Sequence, residues 1–288
     1  MNKKVYYSAM VVIILLLFSA IYFSLDNKIR ILNTQLSSLT EEQGLSITSI
    51  NFIVDRIKML PNIPTSNSPK PKQERDLEKY PLPGMFLQYL EKNGKRIRLA
   101  LIEESKKIQK ELPKMSIVVP PLKSESDRGL ERVKEKALND YSGDLKKMKD
   151  IVRGSQVFQN LIDLEKGFNL LKKSEVFDIE YVNNRFDNPA ESGYRDLVVL
   201  LRHKESKILA ELQLHLCSII NVKKKEHALY RELRTIEGEA KVQQRELTEA
   251  EQRRVEELYK KSKKNYGAAY LQAIAGEECV LQSKKYLI

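Results

Sequence analysis

Two apolar runs on either side of the polar stretch HKES, LVVLLR before it and ILAELQLHL after it, constrain the fold of this chain more than any other segment. Short apolar runs flanking a polar turn predict two strands joined as a β-hairpin. Side chains alternate between the faces of a strand. Leu212, Leu214 and Leu216 are therefore expected on a core face, and Glu211, Gln213 and His215 on the other. A face that carries a carboxylate, an amide and an imidazole is either the wet side of a half-exposed antiparallel strand or the floor of a site.

The hairpin does not stand alone. Upstream, MFLQYLEKN and RIRLALIEESKKIQKEL have helical apolar spacing with charged outer faces. MSIVVPPLKS reads as a short strand stopped by its Pro-Pro pair. SDRGLERVKEKALNDY is a helix candidate, and KMKDIVRGSQVF a buried strand that starts near Asp150 and Arg153. NLIDLEKGFNLLKK follows as an amphipathic helix and EVFDIEYVNNRFD as a further strand. From Ser218 onward the chain reads helical, with Thr248 and Glu251 as a capping box before EQRRVEELYKKSKK. Helices, then a sheet with crossover helices, then helices again predict an α+β domain with a mixed β-sheet.

The amino-terminal part has a different character. Residues 5–25 form a 21-residue run without charge, long enough to span a bilayer as a helix. Tyr6, Tyr7, Tyr22 and Phe23 bracket it like interfacial anchors, and no small-residue cleavage site follows. We read it as a retained single-pass membrane anchor, with a cleaved signal peptide as the alternative. Basic residues flank it nearly equally, so the side of the membrane is left open. Residues 26–60 read as a juxtamembrane helical segment, in which Ile29, Leu32, Leu36 and Leu39 continue from Leu25 as a short a/d seam. Residues 61–84 hold six of the ten prolines and read as a linker or an extended boundary, placing the start of the soluble domain near Gly84. The domain proper is expected over 85–240, with a helical extension over 241–288.

Composition adds little to this. The net charge of +11 favours polyanionic company such as nucleotides, nucleic acid or anionic lipid. Cys217 and Cys279 match no disulfide framework and no Cys-x-x-Cys spacing, and the three histidines form no zinc pattern.

Three groups of residues could carry chemistry. Asp150 and Glu211 would jointly suit Mg²⁺ held against phosphates if their strands are neighbours. In RFDNPAESGYRD a tight loop delivers Tyr194, which can stack on a base, and Arg195, which can take a phosphate bidentately. Lys123, Arg128, Arg132, Lys134 and Lys136 form a basic set before Asp150. Arg128, Arg132 and Lys136 share a helical face there, without any glycine-rich phosphate loop.

In order, "KDIVRGS", "SGYRD", "ELQLHL" and "KEHALYRELR" resemble the synthetase domain of the RelA/SpoT family. The resemblance covers about residues 115–240. It implies a nucleotidyltransferase-like sheet domain that moves pyrophosphate from ATP to the 3′-hydroxyl of a nucleotide, the chemistry of guanosine tetraphosphate metabolism, or of an RNA acceptor. By the same resemblance Asp150 and Glu211 are the catalytic and Mg²⁺ carboxylates, and Tyr194 stacks on the acceptor base. Arg195 and Gln213 position nucleotide, and Lys123, Arg128, Arg132 and Lys136 hold the ATP phosphates. Glu226, His227 and Tyr230 line the site from the following helix. The chain departs from the family pattern at three places. Arg153 sits two positions early in its strand, Asp196 follows GYR in place of serine, and His215 replaces an arginine. Two alternatives follow from these changes. One is a catalytically degenerate membrane-tethered module that binds nucleotide or RNA, the other a secreted effector or toxin. The reading admits a homo-oligomer.

Overall fold

The computed structural model describes residues 63–72, 83–122 and 133–282, apart from 134, 139, 140, 143, 145 and 146. A long helix α1 (Pro83–Glu111) leads to strands β1 (Ser116–Val118) and β2 (Val152–Phe158), helix α2 (Leu161–Leu171), and strands β3 (Phe177–Asn184), β4 (Leu197–His203) and β5 (Leu209–Leu216). Helices α3 (Cys217–Lys225), α4 (His227–Val242) and α5 (Glu249–Ala275) follow. The five strands lie in the order β1-β2-β5-β4-β3. β2 and β5 run parallel and every other pair antiparallel. This is the expected α+β arrangement, with the expected hairpin between β4 and β5.

Alternation decides what each face of the sheet does. Leu212, Leu214 and Leu216 of β5, with Leu197, Val199 and Leu201 of β4, are buried with essentially no exposure. Helix α1 packs on this closed face through Ile97, Leu101, Ser105 and Ile108, spaced at helical intervals and all buried. Its approach depends on Gly154. A Cβ there would lie 2.9 Å from a methyl of Leu101 and 3.2 Å from one of Val119. The other face of β5 presents Glu211 and Gln213, only partly covered.

Helix ends follow the local sequence. Asn160 caps α2 by accepting from the Asp163 backbone N–H at 2.9 Å. Thr248 and Glu251 form the expected capping box on α5. α5 runs past the apolar pattern that announced it, because Tyr266, Ala269, Tyr270 and Ile274 pack against the rest of the domain.

Two expectations change. Residues 63–72, read as part of a linker, lie along β3: Ser66 N–H donates to Val182 O at 2.8 Å, and Ile63 is buried. Cys217 and Cys279, read as unrelated, are joined in a disulfide across 62 residues. The bridge ties the first residue of α3 to the tail beyond α5. That tail is also held by Asn221, whose Nδ2 donates to Val280 O at 3.0 Å. Among the described residues no helix is long and apolar enough to cross a membrane. The expected anchor over 5–25 and the segment 26–60 lie outside the described residues.

Closing a loop of this length restricts the unfolded chain. Reduction, or a Cys217→Ala/Cys279→Ala double substitution, is expected to cost about 2–4 kcal/mol. Thermal melts with and without reductant measure it, and the double variant should be insensitive to the reductant.

Candidate functional site

Glu211 and Gln213 point from β5 to the open face of the sheet, and two cavities lie over it. The smaller, about 310 Å³, is lined by Asp150, Glu211 and Gln213 with Lys70, Lys136, Lys149 and Arg185, over Tyr181 and Asn183 of β3. The larger, about 480 Å³, is lined by Tyr194, Tyr230, Tyr259 and Tyr266 with Glu226, His227 and Lys223. Arg185 and Gln213 line both, so the cavities meet at these two side chains.

Topology explains how Asp150 and Glu211 come together across 61 positions of sequence. β2 and β5 are parallel neighbours, with Arg153 opposite Glu211, and Asp150 lies just before β2. Lys136 Nζ donates to Asp150 Oδ2 at 3.0 Å. Burial lowers the Lys136 ammonium, but the Asp150 carboxylate more than offsets this and holds it above its ordinary value. Burial first, and then the neighbouring Lys70, bring the Lys149 ammonium below its ordinary value, and the Glu211 carboxylate offsets this only in part. Gln213 Nε2 donates to Glu211 Oε1 at 3.0 Å, which orients the carboxylate.

At the junction, Arg185 is held by a buried carboxylate. Asp196 has no exposure, and it accepts from Arg185 Nε at 2.5 Å and Nη2 at 2.9 Å. A guanidinium fork on a carboxylate is the strong, planar form of this interaction. Tyr194 O–H donates to Asp196 Oδ2 at 2.9 Å and accepts from Lys223 Nζ at 2.8 Å. The Arg185 guanidinium lies 5.2 Å from the centre of the Tyr194 ring, and Tyr266 meets that ring edge-on at 5.4 Å. Desolvation first, and then the Asp196 charge, push the Tyr194 hydroxyl well above its ordinary range. Gly193, at φ 79°, makes the turn that carries Tyr194 to this position. A Cβ there would meet the Lys263 backbone of α5 at 3.0 Å.

The expected site residues separate on this geometry. Asp150, Glu211, Gln213 and Lys136 share the polar cavity, and Tyr194, Glu226, His227 and Tyr230 share the tyrosine-lined one with Gln213. Glu226 is buried and accepts from Asn265 Nδ2 at 2.6 Å and from the Ser262 hydroxyl, so it fastens α5 to the start of α4. Arg195 lines neither cavity. It is buried, donates to Gly193 O at 2.9 Å and lies over the Tyr270 ring at 4.5 Å. Arg153 is exposed on β2 and also lines neither cavity. His215, expected on the wet face, is 1% exposed beneath Tyr194, and its Nδ1 lies 3.3 Å from the Tyr194 hydroxyl. Burial, with Lys223 and Arg185 nearby, holds its pKa well below 6.5, so it is neutral and supplies no cation. Lys123, Arg128 and Arg132 lie outside the described residues. Sequence reasoning missed Arg185, Lys149, Lys70 and Lys223. For Arg185 the one signal was Asp196, an acid where a small hydroxyl was expected.

No family model matches the sequence, and no curated protein matches it. Solved structures similar to the chain include small alarmone synthetase 1 from Bacillus subtilis, at 16% identity, TM-score 0.43, covering 69% of this chain and 93% of that one. A GTP pyrophosphokinase family protein from Streptococcus pneumoniae aligns at 16% identity and TM-score 0.43, over 62% of this chain and 87% of its own. The type VI effector Tas1, solved in complex with its immunity protein, aligns at 17% identity and TM-score 0.47, over 65% and 97%.

Two outcomes follow from the buried cluster. Asp196→Ala leaves Arg185 without its carboxylate and is expected to cost about 3–5 kcal/mol, read by urea denaturation. His215 gains a proton only on unfolding, so the unfolded chain binds more protons below pH 6.5 and stability falls as pH drops through that value. The slope is at most about 1.4 kcal/mol per pH unit for this group. The loss between pH 7.5 and 5.5 should shrink in His215→Gln, measured by thermal melts at both values.

Proposed function

We propose that the chain is a RelA/SpoT-like pyrophosphotransferase, moving the β,γ-pyrophosphate of ATP to the 3′-hydroxyl of a nucleotide or RNA acceptor. The observation that carries this reading is the meeting of two unlike cavities at Arg185 and Gln213. Lysines and an arginine around two carboxylates suit a polyphosphate. The tyrosine-lined cavity suits the flat face of an acceptor base. A transfer between two bound substrates needs them side by side, because most of its acceleration comes from positioning and charge neutralisation.

In this reaction the acceptor oxygen bonds to the β-phosphorus of ATP. The bond from that phosphorus to the α,β-bridging oxygen breaks, and AMP leaves with the oxygen. The hydroxyl proton passes to Glu211, whose carboxylate Gln213 orients from the junction of the cavities. Lys136, Lys149 and Arg185 offset the charge that builds on the phosphates. Among the described residues no cluster of three or more metal-binding side chains is assembled, so the donor set suits an ion that keeps most of its waters. Asp150 and Glu211 would hold Mg²⁺ in that way, through one or two carboxylates with substrate phosphates. Bound there, the ion would neutralise phosphate charge and polarise the reacting group.

A second reading keeps the chemistry and moves the chain to an exported effector or toxin. The Cys217–Cys279 bridge favours it, since disulfides persist in oxidising compartments.

The test uses the full chain with Mg²⁺ and ATP labelled in the β-phosphate, offering GDP, GTP, ADP, ATP and bulk tRNA as acceptors. Label is expected on one acceptor class, with a loss of about 100-fold or more in Glu211→Gln. ATP binding without transfer would identify a binding module in place of an enzyme. Absence of both binding and transfer would overturn the nucleotide reading.

A further inference from the structure

The proline-rich stretch before α1 contributes to the polar cavity, although nothing in its composition suggests it. We infer that residues 63–72 form a strap that seats on the edge of the sheet and delivers Lys70 to bound polyphosphate as a further anion-binding residue. This rests on the polyphosphate reading of that cavity.

The strap is attached at both ends by specific hydrogen bonds. Near its start, Asn184 Nδ2 donates to Ile63 O at 2.7 Å, and Asn184 N–H donates to the Thr65 hydroxyl at 3.1 Å. Ser66 and Val182 exchange two bonds: Ser66 N–H to Val182 O at 2.8 Å, and Val182 N–H to Ser66 Oγ at 2.9 Å. At its far end Arg202 Nη2 donates to Lys72 O at 2.9 Å while also gripping Glu180. Strap numbers rise as β3 numbers fall, so the strap runs antiparallel to β3. This carries Lys70 over the Tyr181 ring, with Nζ 5.8 Å from its centre, and into the cavity that holds Asp150 and Glu211.

The placement has a chemical purpose beyond covering the sheet. Lys136, Lys149 and Arg185 reach the cavity from positions after α1, and Lys70 is the cation that comes from before it. Lys136 is already engaged with Asp150 and Arg185 with Asp196. A flexible lysine on an exposed strap can close on a phosphate after the ligand has arrived, which a lysine locked in an ion pair cannot. Seating of the strap thus sets the affinity of the cavity for anions.

The experiment titrates the full chain with inorganic tripolyphosphate and with ATP. The variants are Lys70→Ala, Lys70→Arg and Thr65→Val/Ser66→Pro, with Lys136→Ala marking the cavity itself. Lys70→Ala is expected to weaken both ligands about tenfold, and Lys70→Arg to restore most of that. Thr65→Val/Ser66→Pro, which removes strap hydrogen bonds and keeps the lysine at position 70 but no longer seats it at the cavity, should weaken them to a similar degree. If Lys136→Ala weakens binding and Lys70→Ala does not, the strap inference fails and the cavity reading stands. If Lys70→Ala weakens binding and the strap variant does not, delivery by the strap is refuted. If the unaltered chain binds neither ligand, both fall together.

Discussion

A carboxylate with no contact with water must be compensated fully or it will not stay charged and buried. Asp196 is that carboxylate, and its compensation organises the site. It accepts two bonds from Arg185 and one from Tyr194, which in turn accepts a bond from Lys223. Because the guanidinium fork is rigid, fixing it on Asp196 also fixes which of its faces point into the two cavities. Tyr194 is fixed by the same carboxylate, and His215 lies beneath it as a neutral partner. Four side chains, Arg185 and Tyr194 from the β3–β4 connection, His215 from β5 and Lys223 from α3, are thus placed by one buried charge.

The sheet determines where that charge can act. Parallel pairing of β2 with β5 sets Asp150 near Glu211, while antiparallel pairing of β3 with β4, continued one step past Asn184 and Leu197, sets the Arg185–Asp196 pair at the other end of the same face. Gln213, two residues from Glu211 on β5, stands where both cavities can reach it. Each cavity alone would be an ordinary anion pocket or an ordinary aromatic cleft. Their junction allows a reading as a transfer site.

Much of this was legible in the chain because strand alternation is a strong local signal. The β4–β5 hairpin, the faces of β5, the strand after Asp150 and the capping box at Thr248 all follow from short windows. What was not legible depends on contacts between distant segments. Arg185 and Asp196 are eleven residues apart, but only the folded connection turns them toward each other. Period-two reasoning placed His215 on the correct face and could not show that Tyr194 covers it. Arg195 looked like a phosphate ligand, and the turn at Gly193 directs it to Tyr270 instead. The Cys217–Cys279 pair spans three helices, α3 to α5, and no spacing rule anticipates it. Prolines in 61–84 argued for a linker, since they exclude helix and central strand, yet an extended segment is what the border of a sheet can accept.

The covered border of the sheet also keeps the molecule from its own kind. β3 is a border strand, and the outward N–H and C=O of Val182 and the outward N–H of Asn184 would offer a template for another strand. Such borders promote sheet-to-sheet association unless they are capped or covered. Ser66 and Thr65 occupy those groups with a short run that proline keeps from extending into a strand of its own. A fragment cut at Gly84 would keep every strand and still uncover this border, so it would gain a tendency to stick to copies of itself that the longer chain has suppressed.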